Sequence, residues 1–275
     1  MKTLRISAIQ MNSGDDVITN LTRARRALRS AAADGARIAV LPENFALMGK
    51  KEADRLAIIE DDGAGPLQDF LAAEAARSDL WIVGGTIPLR SDDPKRPYAA
   101  TLVYDGSGKR AGRYDKVHLF DARVPESEEA YRESRNTMPG SKPLLIDTPW
   151  GSLGVAVCYD LRFPEQFRRM STEGLDVLAV PAAFTYRTGA AHWEPLLRAR
   201  AIENLCYVAA AAQTGTHPGG RQTYGHSVLI DPWGAILADA GGRTRVITAT
   251  IDTQRLKRLR QQFPVLDHRR FKAAG

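Results

Sequence analysis

The sequence predicts an α/β protein in which two β-sheets stack face to face between outer layers of helices, giving a four-layer α-β-β-α sandwich. Strand-like and helix-like segments alternate, and the order strand–helix–strand–helix–strand–hairpin occurs twice. Short local parallels accompany this repeat: IAVLPEN at 38–44 is similar to VLAVPAA at 177–183, and LVYDGSGKRAG at 102–112 is similar to VLIDPWGAILA at 228–238. Because no linker-like stretch separates the halves, residues 1–275 are predicted to form one domain.

The first half is predicted to contain two helices and five strands. Apolar residues recur at helical spacing in 16–33, and Pro66 favours the first turn of a helix over 66–77, where its missing N–H is not needed. The tetrapeptide DGSG at 105–108 is typical of a hairpin turn. The predicted strands are 4–10, 38–41, 80–87, 99–104 and 109–114.

The second half repeats this order. Helices are predicted over 164–173 and 193–204, the second with Pro195 in its first turn, since an interior proline removes a helical hydrogen bond. Polar residues without periodicity fill 115–143, and a loop of this length is usually functional or disordered. The predicted strands are 153–158, 176–180, 205–212 and a hairpin pair, 227–231 and 235–239.

The composition predicts a soluble globular protein. Of 275 residues, 44% are hydrophobic and 25% are charged, which excludes a disordered or collagen-like chain. The longest apolar runs fall short of the roughly 18 residues that a membrane span needs, and the first residues lack the continuous apolar segment of a signal peptide. Cys158 and Cys206 stand in apolar, strand-like surroundings, which indicates reduced thiols in the cytoplasm.

The net charge of +6 gives little indication of a macromolecular partner. Arginine and lysine cluster in 23–29 and 255–260, a pattern typical of solvated helix faces. No nucleic-acid-binding motif accompanies these clusters, so neither nucleic acid nor a membrane is expected as a partner. An anionic small-molecule substrate suits this balance of charge.

Three side chains near predicted strand ends are candidates for catalysis. Cys158 ends strand 153–158 and Glu43 follows strand 38–41, at the edge where α/β sheets bind ligands. Lys116 follows the first hairpin and stands among apolar residues, which favours partial burial. Taken singly, each has an ordinary alternative: a core thiol, a surface carboxylate and a solvated lysine.

Together these three side chains form a coherent chemical set. A cysteine needs a base to become a nucleophile at neutral pH, and a glutamate in an apolar pocket is expected to have a raised pKa that suits proton transfer. A fixed lysine ammonium would stabilise the thiolate and a developing oxyanion. His118, His192 and His226 stay open as alternative bases, since spacing alone does not decide. No His/Cys cluster has metal-ligand spacing, so no metal or other cofactor is expected.

Four motifs carry a family resemblance. They are LPEN (41–44), GRYDKVHLFD (112–121), YRES followed by PG (131–140) and GVAVCYDLRFPE (154–165). They resemble, in order, the signatures of the carbon–nitrogen hydrolase (nitrilase) superfamily, which implies an α-β-β-α sandwich assembled as a homodimer or larger homo-oligomer. The resemblance implies Glu43 as base, Lys116 as electrostatic stabiliser and Cys158 as nucleophile. It also implies that Glu133 orients the lysine or positions substrate and water. Weaker alternatives for this second glutamate are Glu126, Glu128 and Glu129.

Further segments narrow the resemblance to one branch. AFTYRTGAAHWEPLLRARAIENLCYVAAAAQTG (183–215), YGHSVLIDPWG (224–234) and FPVLDHRR (263–270) are similar to the Nit-type amidases, above all to deaminated glutathione amidases and next to 2-oxoglutaramate (omega-) amidases. This implies hydrolysis of the amide of a 2-oxoglutarate-type acyl group. CYD at 158–160 departs from the Cys-Trp-Glu pattern of nitrilases and argues against nitrile chemistry. A non-catalytic scaffold is the alternative of a different class, and it would need none of the four site residues.

Candidate substrate-binding residues follow the nucleophile and the next buried strand. Arg162, four residues past the nucleophile, is a candidate for binding a carboxylate bidentately. Its alternative role is an ion pair with Glu165 or Asp160. By the resemblance, the backbone N–H of Tyr159 helps to hold the oxyanion. Further candidates for the acyl pocket, each with a packing role as the alternative, are Phe184, Thr185, Thr188 and His192.

Overall fold

The computed structural model describes residues 3–125 and 130–271. The helices are α1 (Val17–Ala33), α2 (Pro66–Ser78), α3 (Pro164–Thr172), α4 (Tyr186–Asn204) and α5 (Thr253–Gln262). The strands are β1 (Thr3–Gln10), β2 (Ala36–Val40), β3 (Trp81–Val83), β4 (Ile87–Leu89), β5 (Tyr98–Tyr104), β6 (Arg110–Asp115), β7 (Asp121–Arg123), β8 (Ala130–Arg132), β9 (Leu144–Thr148), β10 (Gly151–Val155), β11 (Val177–Ala182), β12 (Tyr207–Ala212), β13 (Thr214–Thr216), β14 (Gln222–Tyr224), β15 (Val228–Ile230), β16 (Ile236–Asp239) and β17 (Arg245–Asp252). Short 3₁₀ helices occupy Glu52–Ile58, Glu133–Arg135, Cys158–Arg162 and Pro218–Gly220. Within the described ranges, no helix has both the length and the apolar character that crossing a membrane requires.

The two large sheets share one plan. In the first, the strand order is β17-β1-β2-β3-β5-β4, with β6 beside β5, and in the second it is β16-β15-β12-β11-β10-β9. β1, β2 and β3 are parallel neighbours, as are β10, β11 and β12, and a helix connects each successive pair. An antiparallel pair follows in each half, β5–β6 and β15–β16. The repeated order predicted from the sequence is confirmed.

Strand β2 illustrates how the layers are held together. Ile38 and Val40 belong to the core between the two sheets, whereas Ala39 and Leu41 belong to the core beneath α1 and α2. Side chains alternate between the faces of a strand, so a strand covered on both faces is apolar throughout. β1 and β2 pack against β12, while α3 and α4 cover the outer face of the second sheet. The predicted four-layer α-β-β-α sandwich is therefore confirmed.

The single strand predicted over 80–87 is wrong, because Gly84 and Gly85 divide it into β3 and β4. Gly85 has a φ of +57°, and a Cβ atom at this position would overlap the carbonyl oxygen of Pro42. Only glycine combines this backbone conformation with so close an approach. The break therefore lets the chain pass directly against the residue that precedes Glu43.

Helix α4 starts earlier than predicted, so Pro195 lies in its interior and not in its first turn. An interior proline leaves the carbonyl four residues earlier, that of Ala191, without its helical partner. Both residues are exposed, so water can replace the missing hydrogen bond. The strand predicted over 153–158 is also too long, since β10 ends before Cys158, which begins a 3₁₀ helix.

The predicted loop 115–143 contains regular structure. β7 and β8 pair as a short antiparallel hairpin, and a 3₁₀ helix begins at Glu133. This places Glu133 at a defined position directly after a strand. The three weaker alternatives to Glu133 lie outside the described residues; they are Glu126, Glu128 and Glu129.

Candidate active site

Glu43 is held in a buried turn that follows β2. Its neighbour Asn44 has a φ of +55°, and the backbone N–H of Asn44 donates a hydrogen bond to Thr86 Oγ1 at 2.9 Å. The backbone carbonyl of Glu43 accepts a hydrogen bond from Gln213 Nε2 at 3.0 Å. Glu43 is only 4% exposed. The turn thus fixes a carboxylate inside the protein, at the carboxyl end of β2.

Lys116 places a buried ammonium group between two carboxylates. Its Nζ lies 2.8 Å from Glu43 Oε1 and 3.0 and 2.9 Å from the two carboxylate oxygens of Glu133. Glu133 is itself fixed by the backbone N–H of Phe120, which donates to its Oε2 at 2.7 Å. Burial alone would lower the pKa of Lys116, but the charges of Glu133 and Glu43 raise that pKa above its ordinary value. The lysine is therefore positively charged at neutral pH.

Cys158 lies at a sharp turn between β10 and α3. Its φ is +50°, in the left-handed region that costs a residue with a side chain about 1–2 kcal/mol. The Glu43 carboxylate and the backbone N–H of Ala183 both lie close enough to the thiol to shift its pKa. The strained turn thus directs the sulfur at the carboxylate.

The proton shared by Cys158 and Glu43 rests on sulfur. Burial raises the pKa of the Cys158 thiol, and the Glu43 charge raises this pKa further, well above its ordinary value. Burial also raises the pKa of Glu43, but Lys116, the Arg221 guanidinium and the neighbouring Cys158 thiol bring this pKa below its ordinary value. The raised Glu43 pKa expected from the sequence is therefore wrong, because a buried cation accompanies the carboxylate.

Asp160 connects the Cys158 turn to the segment that follows β6. Its buried carboxylate accepts hydrogen bonds from the Tyr114 hydroxyl at 2.6 Å and from the backbone N–H of Val157 at 2.8 Å. It also accepts from the backbone N–H and the ring Nδ1 of His118, at 2.9 and 2.7 Å. Four donors around one buried carboxylate fix the two segments relative to each other.

A cavity of about 240 Å³ lies over these side chains. All four predicted catalytic residues line it: Glu43, Lys116, Glu133 and Cys158. Five of the predicted substrate-binding residues also line it: Tyr159, Arg162, Phe184, Thr185 and Thr188. Other lining residues include Asn44, Lys50, Lys51, Arg55, Phe120, Tyr131, His217 and Arg221. The fold therefore brings residues from both halves of the chain to one cavity.

Arg162 and His192 differ in their relation to this cavity. The Cζ of Arg162 lies 5.8 Å from the centre of the Tyr159 ring and 5.6 Å from that of Phe184. His192 is exposed on α4, contacts the Arg162 guanidinium at 3.3 Å, and is not among the described residues that line the cavity. Within the described ranges, no carboxylate forms an ion pair with Arg162, so the alternative ion pairs are not formed and the guanidinium is available to a ligand.

The three histidines considered as alternative bases have other partners than the Cys158 thiol. His118, His192 and His226 contact Asp160, Arg162 and Asp239, in that order. A further histidine, His217, lines the cavity, but its ring nitrogens bond to the Ser13 carbonyl at 2.9 Å and to Thr223 Oγ1 at 2.7 Å. Burial lowers the pKa of His217, which keeps the ring neutral. Across residues 3–125 and 130–271, no group of three or more His, Cys, Asp or Glu could hold a metal ion.

Arg221 is a cavity residue that no motif indicated. It follows the 3₁₀ helix Pro218–Gly220, and its Nη2 donates to the Ala183 carbonyl at 2.8 Å. Its Cζ lies 5.3 Å from the centre of the Tyr131 ring. Because these partners are distant in the chain, no local pattern in the sequence could have revealed the contact.

The sequence profile described as carbon-nitrogen hydrolase matches residues 5–261. The chain belongs to the carbon–nitrogen hydrolase family. This hydrolase is 44% identical over 275 residues to the deaminated glutathione amidase of Synechocystis sp. (strain PCC 6803 / GT-S), with 98% of this chain and 100% of that relative covered. It is 35% identical over 270 residues to the omega-amidase NIT2 of Mus musculus, with 98% and 96% covered. It therefore acts on carbon–nitrogen bonds other than peptide bonds.

A solved relative has the same fold as this hydrolase. The crystal structure of Nit3 from Saccharomyces cerevisiae, a member of branch 10 of the nitrilase superfamily, matches with a TM-score of 0.87 at 31% identity. The match covers 98% of this chain and 97% of that one. The whole sandwich, and not one half of it, is therefore shared.

Proposed function

We propose that this hydrolase cleaves the amide bond of deaminated glutathione, giving 2-oxoglutarate and cysteinylglycine, through a thioester on Cys158. One observation supports the chemistry above all: an ionised Glu43 and a charged Lys116 are buried against the Cys158 thiol at the wall of one cavity. The substrate is inferred from the Synechocystis amidase, which is 44% identical over its full length.

Formation of the thioester begins with a proton transfer. The thiol is protonated at rest and lies beside the ionised Glu43, so the proton moves to this carboxylate as sulfur attacks the amide carbon. The carbonyl π electrons move to oxygen, which becomes the tetrahedral oxyanion. This order avoids a free thiolate, whose charge would be costly in a buried site.

The oxyanion is stabilised by the Lys116 ammonium and the backbone N–H of Tyr159. One N–H of Lys116 bonds to Glu43, and its contacts with the two Glu133 oxygens can share a second, which leaves a third for the substrate. A preorganised donor of this kind contributes about 3 kcal/mol to transition-state stabilisation. Glu133 holds Lys116 in place for this role.

Glu43 then completes both half-reactions. It returns its proton to the amide nitrogen as the carbon–nitrogen bond breaks, which releases the amine and leaves the acyl group on Cys158. The ionised carboxylate next takes a proton from water, whose oxygen attacks the thioester carbon. Collapse of the second tetrahedral intermediate expels sulfur, which recovers its proton from Glu43, and releases the 2-oxo acid.

The 2-oxo acid end of the substrate is bound by Arg162. Its guanidinium lies over the rings of Tyr159 and Phe184, and two of its N–H groups could donate to the two oxygens of a substrate carboxylate. Thr185 and Thr188 line the same wall and join their hydroxyls at 2.8 Å, which presents polar atoms to the acyl chain. His192 supports Arg162 from the outside.

An omega-amidase that releases ammonia from 2-oxoglutaramate is the second candidate. The observation that favours it is the 35% identity with omega-amidase NIT2 of Mus musculus over 96% of that relative. Both substrates carry the same acyl group, so the chemistry at Cys158 is common to them. A non-catalytic scaffold is disfavoured, since it would have no use for a carboxylate and an ammonium group buried beside one thiol.

The deciding experiment measures 2-oxoglutarate release from deaminated glutathione and from 2-oxoglutaramate by the purified enzyme. A kcat/KM at least about tenfold higher for deaminated glutathione is expected, corresponding to about 1.4 kcal/mol of discrimination. Cys158→Ala is the inactive variant and Cys206→Ala, at the other buried thiol, is its matched control. A preference for 2-oxoglutaramate would identify an omega-amidase. Release of 2-oxoglutarate by Cys158→Ala at the wild-type rate would exclude a thioester intermediate on Cys158.

The enzyme is proposed to act in the cytoplasm as a homodimer or larger homo-oligomer. An exposed apolar cluster supports assembly: the Trp233 and Phe263 rings meet at 5.5 Å, and both are exposed. Apolar clusters of this kind mark interaction surfaces when they are large. Light scattering on the eluting protein tests the assembly, and a monomer at micromolar concentration would contradict it.

A further inference from the structure

Two guanidinium groups, Arg162 and Arg221, face the cavity, and neither forms an ion pair with a carboxylate among the described residues. The third arginine of the lining differs in this respect, because Arg55 contacts Glu52 at 3.8 Å, and Lys50 of the same lining contacts Asp15 at 3.7 Å. We infer that Arg221 binds a second carboxylate, carried by the leaving amine, and that the enzyme selects substrates with an anionic group at each end. This inference rests on the proposed function.

The two arginines belong to one closed ring of contacts among residues that line the cavity. On one side the two arginines are connected through aromatic rings only. The Arg162 Cζ lies 5.8 Å from the centre of the Tyr159 ring, and the Arg221 Cζ lies 5.3 Å from that of Tyr131. The Phe120 ring stands between them, with its centre 4.9 Å from that of Tyr159 and 5.1 Å from that of Tyr131. On the other side it closes through neighbouring residues, since Arg221 bonds to Ala183 and Arg162 lies over Phe184. A ligand bound inside this ring can therefore contact both guanidinium groups.

The direction of the substrate follows from the position of Glu43. The leaving nitrogen takes its proton from Glu43, so the group attached to this nitrogen must extend past the carboxylate. Arg221 is close enough to Glu43 for its charge to lower the pKa of that carboxylate, whereas Arg162 lies over the rings of Tyr159 and Phe184. With the 2-oxo acid on Arg162, the leaving group points to Arg221.

Arg221 is held ready for an anion. Its Nη2 is fixed on the Ala183 carbonyl, its face lies against Tyr131, and its Nε is buried without a hydrogen-bond partner among the described residues. A guanidinium fixed in this way loses little conformational entropy on binding, and its remaining N–H groups match the fork of a carboxylate. Lys51 lies on the lining near Glu52 and adds a further positive charge.

The substrate class that fits is an N-acyl peptide whose acyl group ends in a free 2-oxo acid and whose peptide ends in a free carboxylate. Deaminated glutathione has this property, because its leaving group ends in glycine. 2-Oxoglutaramate does not, because its leaving group is ammonia. Arg221 would thus be the residue that separates the two activities, with a loss of about tenfold or more when the charge-assisted contact is removed.

The test varies the charge on both partners. The wild-type kcat/KM for 2-oxoglutarate release is measured on deaminated glutathione and on its analogue whose terminal carboxylate is a primary amide, which removes the charge and keeps the shape. The same ratio of acid to amide is measured in Arg221→Met, in Arg221→Lys, and in Arg55→Met as the matched control from the same lining. Circular dichroism checks that each variant folds.

We expect the wild type to prefer the acid by about tenfold or more, Arg221→Met to lose this preference, and Arg221→Lys to retain part of it because it keeps the charge without the fork. Arg55→Met is expected to keep the wild-type ratio. Equal rates for acid and amide in the wild type would overturn the inference without any variant, as would a preference that survives in Arg221→Met. Failure of the proposed function gives a different result, since the wild type would then release 2-oxoglutarate from neither compound.

Discussion

His118 donates two hydrogen bonds to one oxygen of Asp160, from its backbone N–H at 2.9 Å and from its ring Nδ1 at 2.7 Å. The second oxygen of Asp160 receives the Tyr114 hydroxyl and the backbone N–H of Val157. These donors flank Lys116 on one segment and Cys158 on the other, so the carboxylate sets the relative position of the cation and the thiol.

Asp160→Asn is expected to lower kcat by at least about 100-fold with little change in KM. The asparagine NH₂ group would face N–H and O–H donors, to which it cannot bond, so the turn that contains Cys158 is expected to shift. The free energy of unfolding is expected to fall by about 2–3 kcal/mol for the same reason. Steady-state kinetics and chemical denaturation measure the two effects. Asp239→Asn, at the exposed pair with His226, is the control, and a wild-type kcat in Asp160→Asn would refute the positioning role.

The pH profile of kcat/KM is expected to lack an acid limb near neutrality. The reaction needs ionised Glu43, whose pKa lies below its ordinary value of 4.5, so activity is lost only as the pH falls through that lower value. In Lys116→Met the main cause of the lowering is removed and burial then dominates, so the limb is expected to move upward toward neutral pH as kcat falls. Initial rates between about pH 4 and about pH 9 test both, and a wild-type limb near neutrality would contradict the assignment.

Alkylation by iodoacetamide is expected to reach Cys158 well before Cys206. Cys158 lines the cavity and has a carboxylate to accept its proton, whereas Cys206 is fully buried and burial raises its pKa to about 12. Glu43→Gln should slow the labelling of Cys158 and leave that of Cys206 unchanged. Peptide mass spectrometry over a time course gives both rates, and equal rates for the two thiols would mean that Cys158 is not activated.

Gly85→Ala is expected to destabilise the fold by about 3 kcal/mol or more and to lower kcat. The new Cβ would overlap the Pro42 carbonyl, so the turn that holds Glu43 must move. Gly63→Ala is the matched control, because Gly63 also has a positive φ, +94°, but open space around it, and about 1 kcal/mol is expected there. Equal losses in the two variants would show that the contact with Pro42 is unimportant.

Features that depend on a local sequence pattern could be predicted from the sequence. The alternation of strands and helices gave the sandwich, and Glu43, Lys116 and Cys158 could be proposed because each stands near a strand end within a recognisable motif. Arg221 and His217 could not be found in this way, because tertiary contacts alone bring them to the cavity.

The pKa of Glu43 was predicted in the wrong direction for a related reason. The sequence shows an apolar strand before Glu43, and burial does raise its pKa, but the lysine that reverses the effect comes from another strand end. Pro195 was misplaced because the sequence does not reveal that its side of α4 faces water, where a missing hydrogen bond is tolerated.

The alanines of β12 help to set the distance between the two sheets, and with it the position of Glu43 relative to Cys158. Glu43 extends from the first sheet and Cys158 from the second, and the facing strands β1 and β12 meet through small side chains, among them Ala8, Ala209 and Ala211. The distance between the Glu43 carboxylate and the Cys158 sulfur therefore depends on the spacing of the two sheets. Larger residues between the sheets would increase this spacing and lower the activity of the enzyme, although none of them touches the substrate.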